Sequence, residues 1–120
     1  MYELAVTDHF AASHFLSGYK GKCKNLHGHT WKVQVVIRKA TLNKLGMVAD
    51  FQVVKKQLKE ILDALDHVHL NTVGPFAKIN PTTENLAKYI FDELAARCRP
   101  LKVTQVTVWE SDNASVTYHR

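Results

Sequence analysis

The sequence has few of the residues that mark the special classes of protein chain. Its 120 residues include only 2 cysteines, 3 prolines and 5 glycines, which excludes a disulfide framework, a collagen-like chain and a low-complexity chain. No apolar run approaches the ~20 residues that cross a bilayer, and the N-terminus lacks the basic and apolar regions of a signal peptide. We expect one cytoplasmic domain over residues 1–120, with no membrane partner.

Positive charge is unevenly distributed along the chain. Lysine and arginine number 16 against 11 acidic residues, so the net charge is +5. Residues 1–40 hold 6 of these basic residues, only 2 acidic ones, and 4 of the 7 histidines. A positive field around histidines and a cysteine indicates an anionic partner, either a nucleic acid or a small phosphorylated ligand.

Apolar residues that alternate with polar ones predict two strands in each half of the chain. The first pair is separated by a loop rich in glycine and lysine at about residues 17–24. The predicted strands lie around Tyr2–Val6, Trp31–Ile37, Leu101–Glu110 and Ser115–Tyr118. We expect these four strands to form one antiparallel sheet.

Apolar residues at spacings of three and four predict two helices between the strand pairs. Asp50 is the expected N-cap of the first helix, which should end near Asp66, and Thr82 or Thr83 should cap the second, which Pro100 stops. The order ββααββ indicates an α+β fold with both helices on one face of the sheet. A sheet with an open edge and a polar second face favours oligomer formation.

A pair of histidines at the start of the second strand suggests a metal site. His27 and His29 are two residues apart, so in a strand they face the same side, and a hairpin could bring His14 beside them. Three neutral imidazoles with one open position are typical of catalytic zinc. The alternative is a chance pair of surface histidines.

Cys23 lies four residues before His27 and between two lysines. Neighbouring positive charge favours the thiolate, which suits a nucleophile or general base. Cys23 could instead be a fourth zinc ligand in a closed, structural site, and the sequence alone leaves both interpretations open.

Two acidic residues could also serve a reaction. Asp66 precedes His67, and an aspartate can orient an imidazole for proton transfer, although a solvated helix end explains the same dipeptide. Glu110 ends the apolar strand VTVWE, where its carboxylate could accept two parallel N–H bonds from a guanidine-like ligand edge. The alternative for Glu110 is an ordinary charge at a strand end.

Four segments together resemble the 6-pyruvoyl-tetrahydropterin synthase superfamily. They are FAASHFLSGYKGKCKNLHGHTWKVQV, LDHVHLN, NPTTENLA and VTVWES, which cover nearly the whole chain in the family's order. The three residues between Cys23 and the H-G-H triplet favour the bacterial branch, whose members make 6-carboxy-5,6,7,8-tetrahydropterin for queuosine biosynthesis.

The resemblance implies three groups of functional residues. The zinc ligands would be His14, His27 and His29. The residues of proton transfer would be Cys23, Asp66 and His67. The pterin-binding residues would be Glu110, Thr82 and Thr83.

The resemblance also implies an assembly and a reaction. Family members have the tunnelling fold, in which ββααββ subunits join their sheets into a barrel, here expected as a homohexamer of two trimers with active sites between subunits. The substrate would be 7,8-dihydroneopterin triphosphate, converted with release of acetaldehyde and triphosphate, and lysines of the loop could attract the triphosphate. One alternative is the pyruvoyl reaction without carbon cleavage, and a more remote one is a non-catalytic zinc module that binds nucleic acid. We expect no nucleic-acid partner.

Overall fold

A computed structural model describes all 120 residues and shows two helices against one face of a five-stranded sheet. The strands are β1 (Tyr2–His14), β2 (His27–Lys39), β3 (Val68–His69), β4 (Val103–Ser111) and β5 (Ala114–His119). The helices are α1 (Phe51–Asp63) and α2 (Thr83–Arg97). Short 3-10 turns lie at Lys22–Lys24, before β2, and at Leu70–Thr72 and Gly74–Ala77, between β3 and α2.

The sheet has the order β3-β1-β2-β4-β5. The four long strands are antiparallel, as predicted. The prediction of four strands was incomplete, because β3 pairs in parallel with β1 at Ala12 and Ser13, which makes the sheet mixed. Two residues are too few to show a strand period, and β3 forms only because the chain after α1 returns beside β1.

Both helices begin where the sequence predicts. The Asp50 carboxylate accepts the Gln52 N–H at 2.9 Å, and α1 ends at Asp63, slightly before the predicted end near Asp66. Of the two candidate caps for α2, Thr82 is the N-cap, since its hydroxyl accepts the Asn85 N–H at 3.1 Å. Neither helix has the length and hydropathy needed to span a bilayer.

The hydrophobic core lies between the helices and the covered face of the sheet. It includes Trp31, which is fully buried and stacks on Phe10 at 6.0 Å between ring centroids. Cys98 is 4% exposed and is part of this core, so it is a packed thiol. The molecule is elongated, at 52 × 23 × 22 Å, since β1 and β2 are each 13 residues long.

Candidate metal centre and neighbouring residues

His14, His27 and His29 lie at the end of the sheet where β1 and β2 connect. The antiparallel register places His14 opposite His27 and Ala12 opposite His29, so all three imidazoles are on the helix-covered face. Their candidate ligand nitrogens lie within 4.8 Å of one another. The structure therefore brings the three proposed ligands together at one point.

Hydrogen bonds to the backbone fix the tautomers of two of these histidines. His14 Nδ1 lies 2.8 Å from the Pro81 carbonyl oxygen, and His27 Nδ1 lies 2.6 Å from that of Asn25. A carbonyl oxygen only accepts, so both Nδ1 atoms carry the hydrogen. In the neutral rings both Nε2 atoms then present lone pairs, and these atoms are 3.0 Å apart. Two lone pairs repel at this distance unless a cation, either a proton or a metal ion, lies between them.

The third histidine has an unsatisfied nitrogen. His29 Nε2 is buried and has no hydrogen-bond partner, and Glu110 Oε1 lies 3.6 Å away, beyond hydrogen-bond distance. Burial lowers the pKa of His29, against an opposing effect of Glu110, and burial also lowers the pKa of His14. Both rings therefore favour the neutral form, which is the form that binds metals.

These observations fit a bound metal ion. Imidazole nitrogens that converge on one point are the usual donor set of divalent transition metals. Three such donors leave one position for water or a substrate oxygen. The three histidines could therefore hold a metal ion.

The buried Trp31 ring packs against the histidine cluster, a contact that sequence patterns did not reveal. Its ring meets the rings of His14 and His29 edge to face, at 5.0 and 5.1 Å between centroids. The indole Nε1–H donates to the Ala12 carbonyl at 3.3 Å. A rigid aromatic ring thus limits the orientations open to both imidazoles. The carbonyls of Pro81 and Asn25 were also missed, because a backbone acceptor leaves no signal in residue type.

Glu110 and Thr83 adjoin the metal cluster. The Thr83 hydroxyl donates to Glu110 Oε2 at 3.2 Å, while Oε1 is the atom nearer to His29. Thr83 is buried at the start of α2, whereas Thr82 uses its hydroxyl to cap the helix. The structure therefore brings Glu110 and Thr83 together beside the cluster and gives Thr82 a structural contact.

Asp66 and His67 form a pair at the outer edge of β1. Asp66 Oδ2 lies 2.8 Å from His67 Nδ1, and Asp66 Oδ1 accepts the Ala11 N–H at 2.9 Å. The Ala11 bond, followed by the bond to His67, holds the pKa of Asp66 below its usual value. The His67 side chain is 81% exposed. The carboxylate is thus fixed to the sheet and orients an imidazole that faces outward.

A cleft of about 550 Å³ lies beside His67. Its lining includes His29 of the cluster, His67 of the pair, Ser13 of β1 and His69 of β3. Ser13 Oγ lies 3.3 Å from His69 Nδ1. Ser13 and Gly28 alternate with the histidines along β1 and β2, so the cleft lies on the uncovered face of the sheet and gives a small molecule access to His67.

Cys23 lies in the 3-10 turn before β2 and is half-buried. The group of possible metal ligands contains the three histidines and not the Cys23 thiol. The Cys23 carbonyl accepts the Leu16 N–H at 2.8 Å. The structure therefore does not support the interpretation of Cys23 as a fourth metal ligand.

The positive charge of residues 1–40 is divided between the two ends of the molecule. Arg38 and Lys39 end β2 and line a separate cleft with Lys102, far from the turn that carries Cys23. The expectation that this whole charge surrounds the histidines was therefore wrong, because the 13 residues of β2 separate Arg38 and Lys39 from His27 and His29. Three lysines, Lys20, Lys22 and Lys24, remain in the loop.

Comparison with known proteins gives one family over nearly the whole chain. The model of the family described as 6-pyruvoyl tetrahydropterin synthase matches residues 3–120. The 6-carboxy-5,6,7,8-tetrahydropterin synthase of Haemophilus influenzae is 31% identical, over 98% of this chain and 99% of that protein. The 6-pyruvoyl tetrahydrobiopterin synthase of Homo sapiens is 40% identical, over 91% of this chain and 85% of that protein.

A solved structure gives the same result for the fold. The structure of Caenorhabditis elegans 6-pyruvoyl tetrahydropterin synthase superposes with a TM-score of 0.89 at 30% identity, over 99% of this chain and 95% of that one. This similarity confirms the predicted ββααββ subunit of the tunnelling fold.

Proposed function

Because the chain belongs to the 6-pyruvoyl tetrahydropterin synthase family, we propose that it converts 7,8-dihydroneopterin triphosphate to 6-carboxy-5,6,7,8-tetrahydropterin. Acetaldehyde and triphosphate are released, in an early step of queuosine biosynthesis in the cytoplasm. The observation that carries the proposal is the convergence of three imidazole nitrogens beside Glu110, one of which, His29 Nε2, is buried without a hydrogen-bond partner. The near-complete overlap with the Haemophilus influenzae carboxy enzyme supports this branch.

The pyruvoyl reaction is the second candidate, because identity to the human 6-pyruvoyl tetrahydrobiopterin synthase is 40%. That reaction eliminates triphosphate and leaves the side-chain carbons joined. Both candidates use the same site, so they differ in product rather than in residues. A nucleic-acid-binding role is not favoured, because the basic residues are split between two ends of the molecule.

His14, His27 and His29 would hold a zinc ion, since three neutral imidazoles are a donor set of catalytic zinc. When bound, zinc would supply Lewis-acid chemistry that makes the hydroxyl and adjacent C–H groups of the pterin side chain more acidic. The buried Trp31 ring excludes water from one side of this site. Proton transfer and pterin binding would be carried out by other residues of the chain.

Proton transfer is assigned to Cys23 and His67. The Cys23 thiolate would take a proton from the substrate side chain, and His67 would return or accept one at Nε2, since Nδ1 is bound by Asp66. Asp66 keeps the imidazole in this tautomer and stabilises its charged form. The low pKa of Asp66 keeps it ionised for that purpose.

Pterin binding is assigned to the end of β4 and the start of α2. The Glu110 carboxylate would accept two N–H groups from the aminopyrimidine edge of the ring. The Thr83 hydroxyl holds one carboxylate oxygen, which orients Glu110 before the substrate arrives. Thr82 would lie beside the ring, and loop lysines would attract the triphosphate.

The proposed enzyme is a homohexamer of two trimers. His67 is 81% exposed in one subunit, whereas a residue of proton transfer works best when water is excluded. The open edge of β5 and the polar face of the sheet are available for contacts with other copies. A neighbouring subunit would therefore complete each active site.

Product analysis tests the proposal directly. Purified protein is incubated with 7,8-dihydroneopterin triphosphate, and acetaldehyde and released triphosphate are both measured. Both products are expected, whereas triphosphate without acetaldehyde would support the pyruvoyl reaction and neither product would reject both. In Cys23→Ala, zinc content should remain full while triphosphate release is lost. Loss of zinc in that variant would contradict the assignment of Cys23.

A further inference from the structure

Two asparagine side chains hold the first part of the loop that leads to Cys23. Asn71 Oδ1 accepts the Phe15 N–H at 3.0 Å, and Asn71 Nδ2 donates to the Phe15 carbonyl at 3.1 Å. Asn80 makes the same pair of bonds with Ser17, both at 2.9 Å. Each amide thus satisfies both backbone groups of one residue, as a neighbouring strand would.

The residue between the two held positions contacts Cys23. The Leu16 N–H donates to the Cys23 carbonyl at 2.8 Å. In an extended segment, successive residues direct their backbone groups to opposite sides, so Phe15 and Ser17 face the asparagines while Leu16 faces Cys23. Fixing the outer two residues therefore fixes the direction of the bond to Cys23.

The asparagines belong to anchored parts of the chain. The Asn80 carbonyl accepts Asn85 Nδ2 from the first turn of α2 at 2.8 Å. The next residue, Pro81, provides the carbonyl that binds His14. Asn71 follows the fully buried Leu70. The loop is therefore held by supports that are themselves fixed, and one of them also orients a candidate metal ligand.

We propose that Asn71 and Asn80 are positioning residues that hold Cys23 in place for proton transfer. This inference rests on the proposed function, in which Cys23 is the reactive thiol. Neither asparagine touches the substrate in this role, because their amide groups are used by the backbone of Phe15 and Ser17. They act by limiting the movement of the turn Lys22–Lys24.

The test compares Asn71→Ala, Asn80→Ala and the double variant with Asn43→Ala. Asn43 is a matched control, because its side chain also accepts two backbone N–H groups, from Leu45 and Met47 at 2.9 and 3.0 Å, but in a different loop. In the two single variants kcat should fall about tenfold or more with KM little changed, since small misplacements of a reacting group are costly. Asn43→Ala should keep the kcat of the original protein.

The second readout is alkylation by iodoacetamide, followed for each cysteine by mass spectrometry. Release of the turn should expose the half-buried Cys23 and speed its alkylation severalfold. Cys98, buried in the core, should stay protected and so reports on the fold. Asn71→Asp keeps the acceptor for the Phe15 N–H but places a second acceptor against the Phe15 carbonyl, so it should speed the alkylation of Cys23 at least as much as Asn71→Ala.

Two results would overturn the inference. One is a double variant with unchanged kcat and unchanged Cys23 alkylation. The other is parallel alkylation of Cys23 and Cys98, because the asparagines would then stabilise the whole fold rather than one turn. Failure of the proposed function gives a different pattern, in which the original protein has no activity on 7,8-dihydroneopterin triphosphate while the alkylation of Cys23 still responds to the asparagines.

Discussion

Asp66 and His67 are adjacent in sequence, yet their side chains meet at 2.8 Å between Oδ2 and Nδ1. This contact coincides with a left-handed backbone at His67, which has φ 56°. The His67 N–H donates to the Ala11 carbonyl, and Asp66 binds the Ala11 N–H. Left-handed conformations cost non-glycine residues roughly 1–2 kcal/mol, so the two bonds to Ala11 hold a strained residue in place.

This strain predicts opposite effects on stability and activity in His67→Gly. Glycine adopts the left-handed region freely, so the free energy of unfolding should stay the same or rise by up to about 1 kcal/mol. Activity should fall by about 10²–10⁴-fold, because the imidazole is lost. Urea denaturation and a triphosphate-release assay measure the two quantities. His67→Ala, which removes the imidazole and keeps the strain, is the control and should be less stable than His67→Gly.

The unsatisfied nitrogen of His29 predicts how zinc affects stability. Zinc added to the original protein should raise its melting temperature, because an ion that binds only the folded state stabilises it. His29→Ala should lose most of this rise, since one of three donors is missing. In EDTA the variant should lose only the packing of the ring against Trp31, because the Nε2 it lacks makes no hydrogen bond. Equal zinc responses in both proteins would reject the metal site, and thermal unfolding with and without zinc measures them.

The contact of Glu110 with Thr83 predicts the effect of Glu110→Gln. The amide oxygen can still accept the Thr83 hydroxyl, so the fold should be unchanged, but the charge that would bind the pterin is lost. Hydrogen bonds to charged groups contribute about 1.5–3 kcal/mol, so kcat/KM should fall about tenfold to a hundredfold. Zinc content should remain full. Thr83→Val, which removes only the supporting hydroxyl, should have the smaller effect in the same kinetic assay, and the reverse order would contradict the assignment.

The ion pairs of Asp92 predict a pH dependence of stability. Asp92 accepts Lys88 Nζ and Arg120 Nη2, each at 2.8 Å, and these bonds, Lys88 first, hold the pKa of Asp92 below 3.8. A lowered pKa in the folded state gives stability that is present above the unfolded value and is lost as the pH falls through the folded value. Asp92→Asn should therefore reduce the free energy of unfolding at neutral pH by about 1 kcal/mol or less.

The difference between Asp92→Asn and the original protein should shrink as the pH falls below 3.8 and disappear once the pH is below the lowered pKa of Asp92 in the folded state. Urea denaturation of both proteins over a pH series measures it. Glu3→Gln is a suitable comparison, because Glu3 pairs with Arg38 on a different part of the surface. A gap that stays constant as the pH falls would show that Asp92 does not act through its charge.

Local patterns were sufficient to predict the parts of the site that depend on neighbours in sequence. The H-x-H spacing placed His27 and His29 on one face, and the hairpin placed His14 beside them. The helix caps could also be predicted from the sequence, because the side chain of Thr82 bonds a backbone group three residues away. These features need only the geometry of one strand pair or one helical turn.

The remaining features depend on residues far apart in sequence. Asp66 reaches Ala11 across 55 residues, Asn71 reaches Phe15 across 56, and Asn80 reaches Ser17 across 63. Such contacts leave no periodic pattern in the sequence. An asparagine that binds a distant backbone group cannot be distinguished by residue type from one exposed to water. The lengths of β1 and β2 likewise determined that Arg38 and Lys39 lie far from the histidines.

The two-residue strand β3 also limits how the sheet can extend. It covers the outer edge of β1 at Ala12 and Ser13, whereas residues 2–10 have no strand on that side within the chain. In the proposed barrel, a neighbouring β5 would add to this uncovered stretch, and β3 would block its movement toward His14. A slip of one residue would reverse every side chain of the added strand. The smallest strand of the fold would therefore set the register between subunits, and with it the separation of one subunit's histidines from its neighbour's residues.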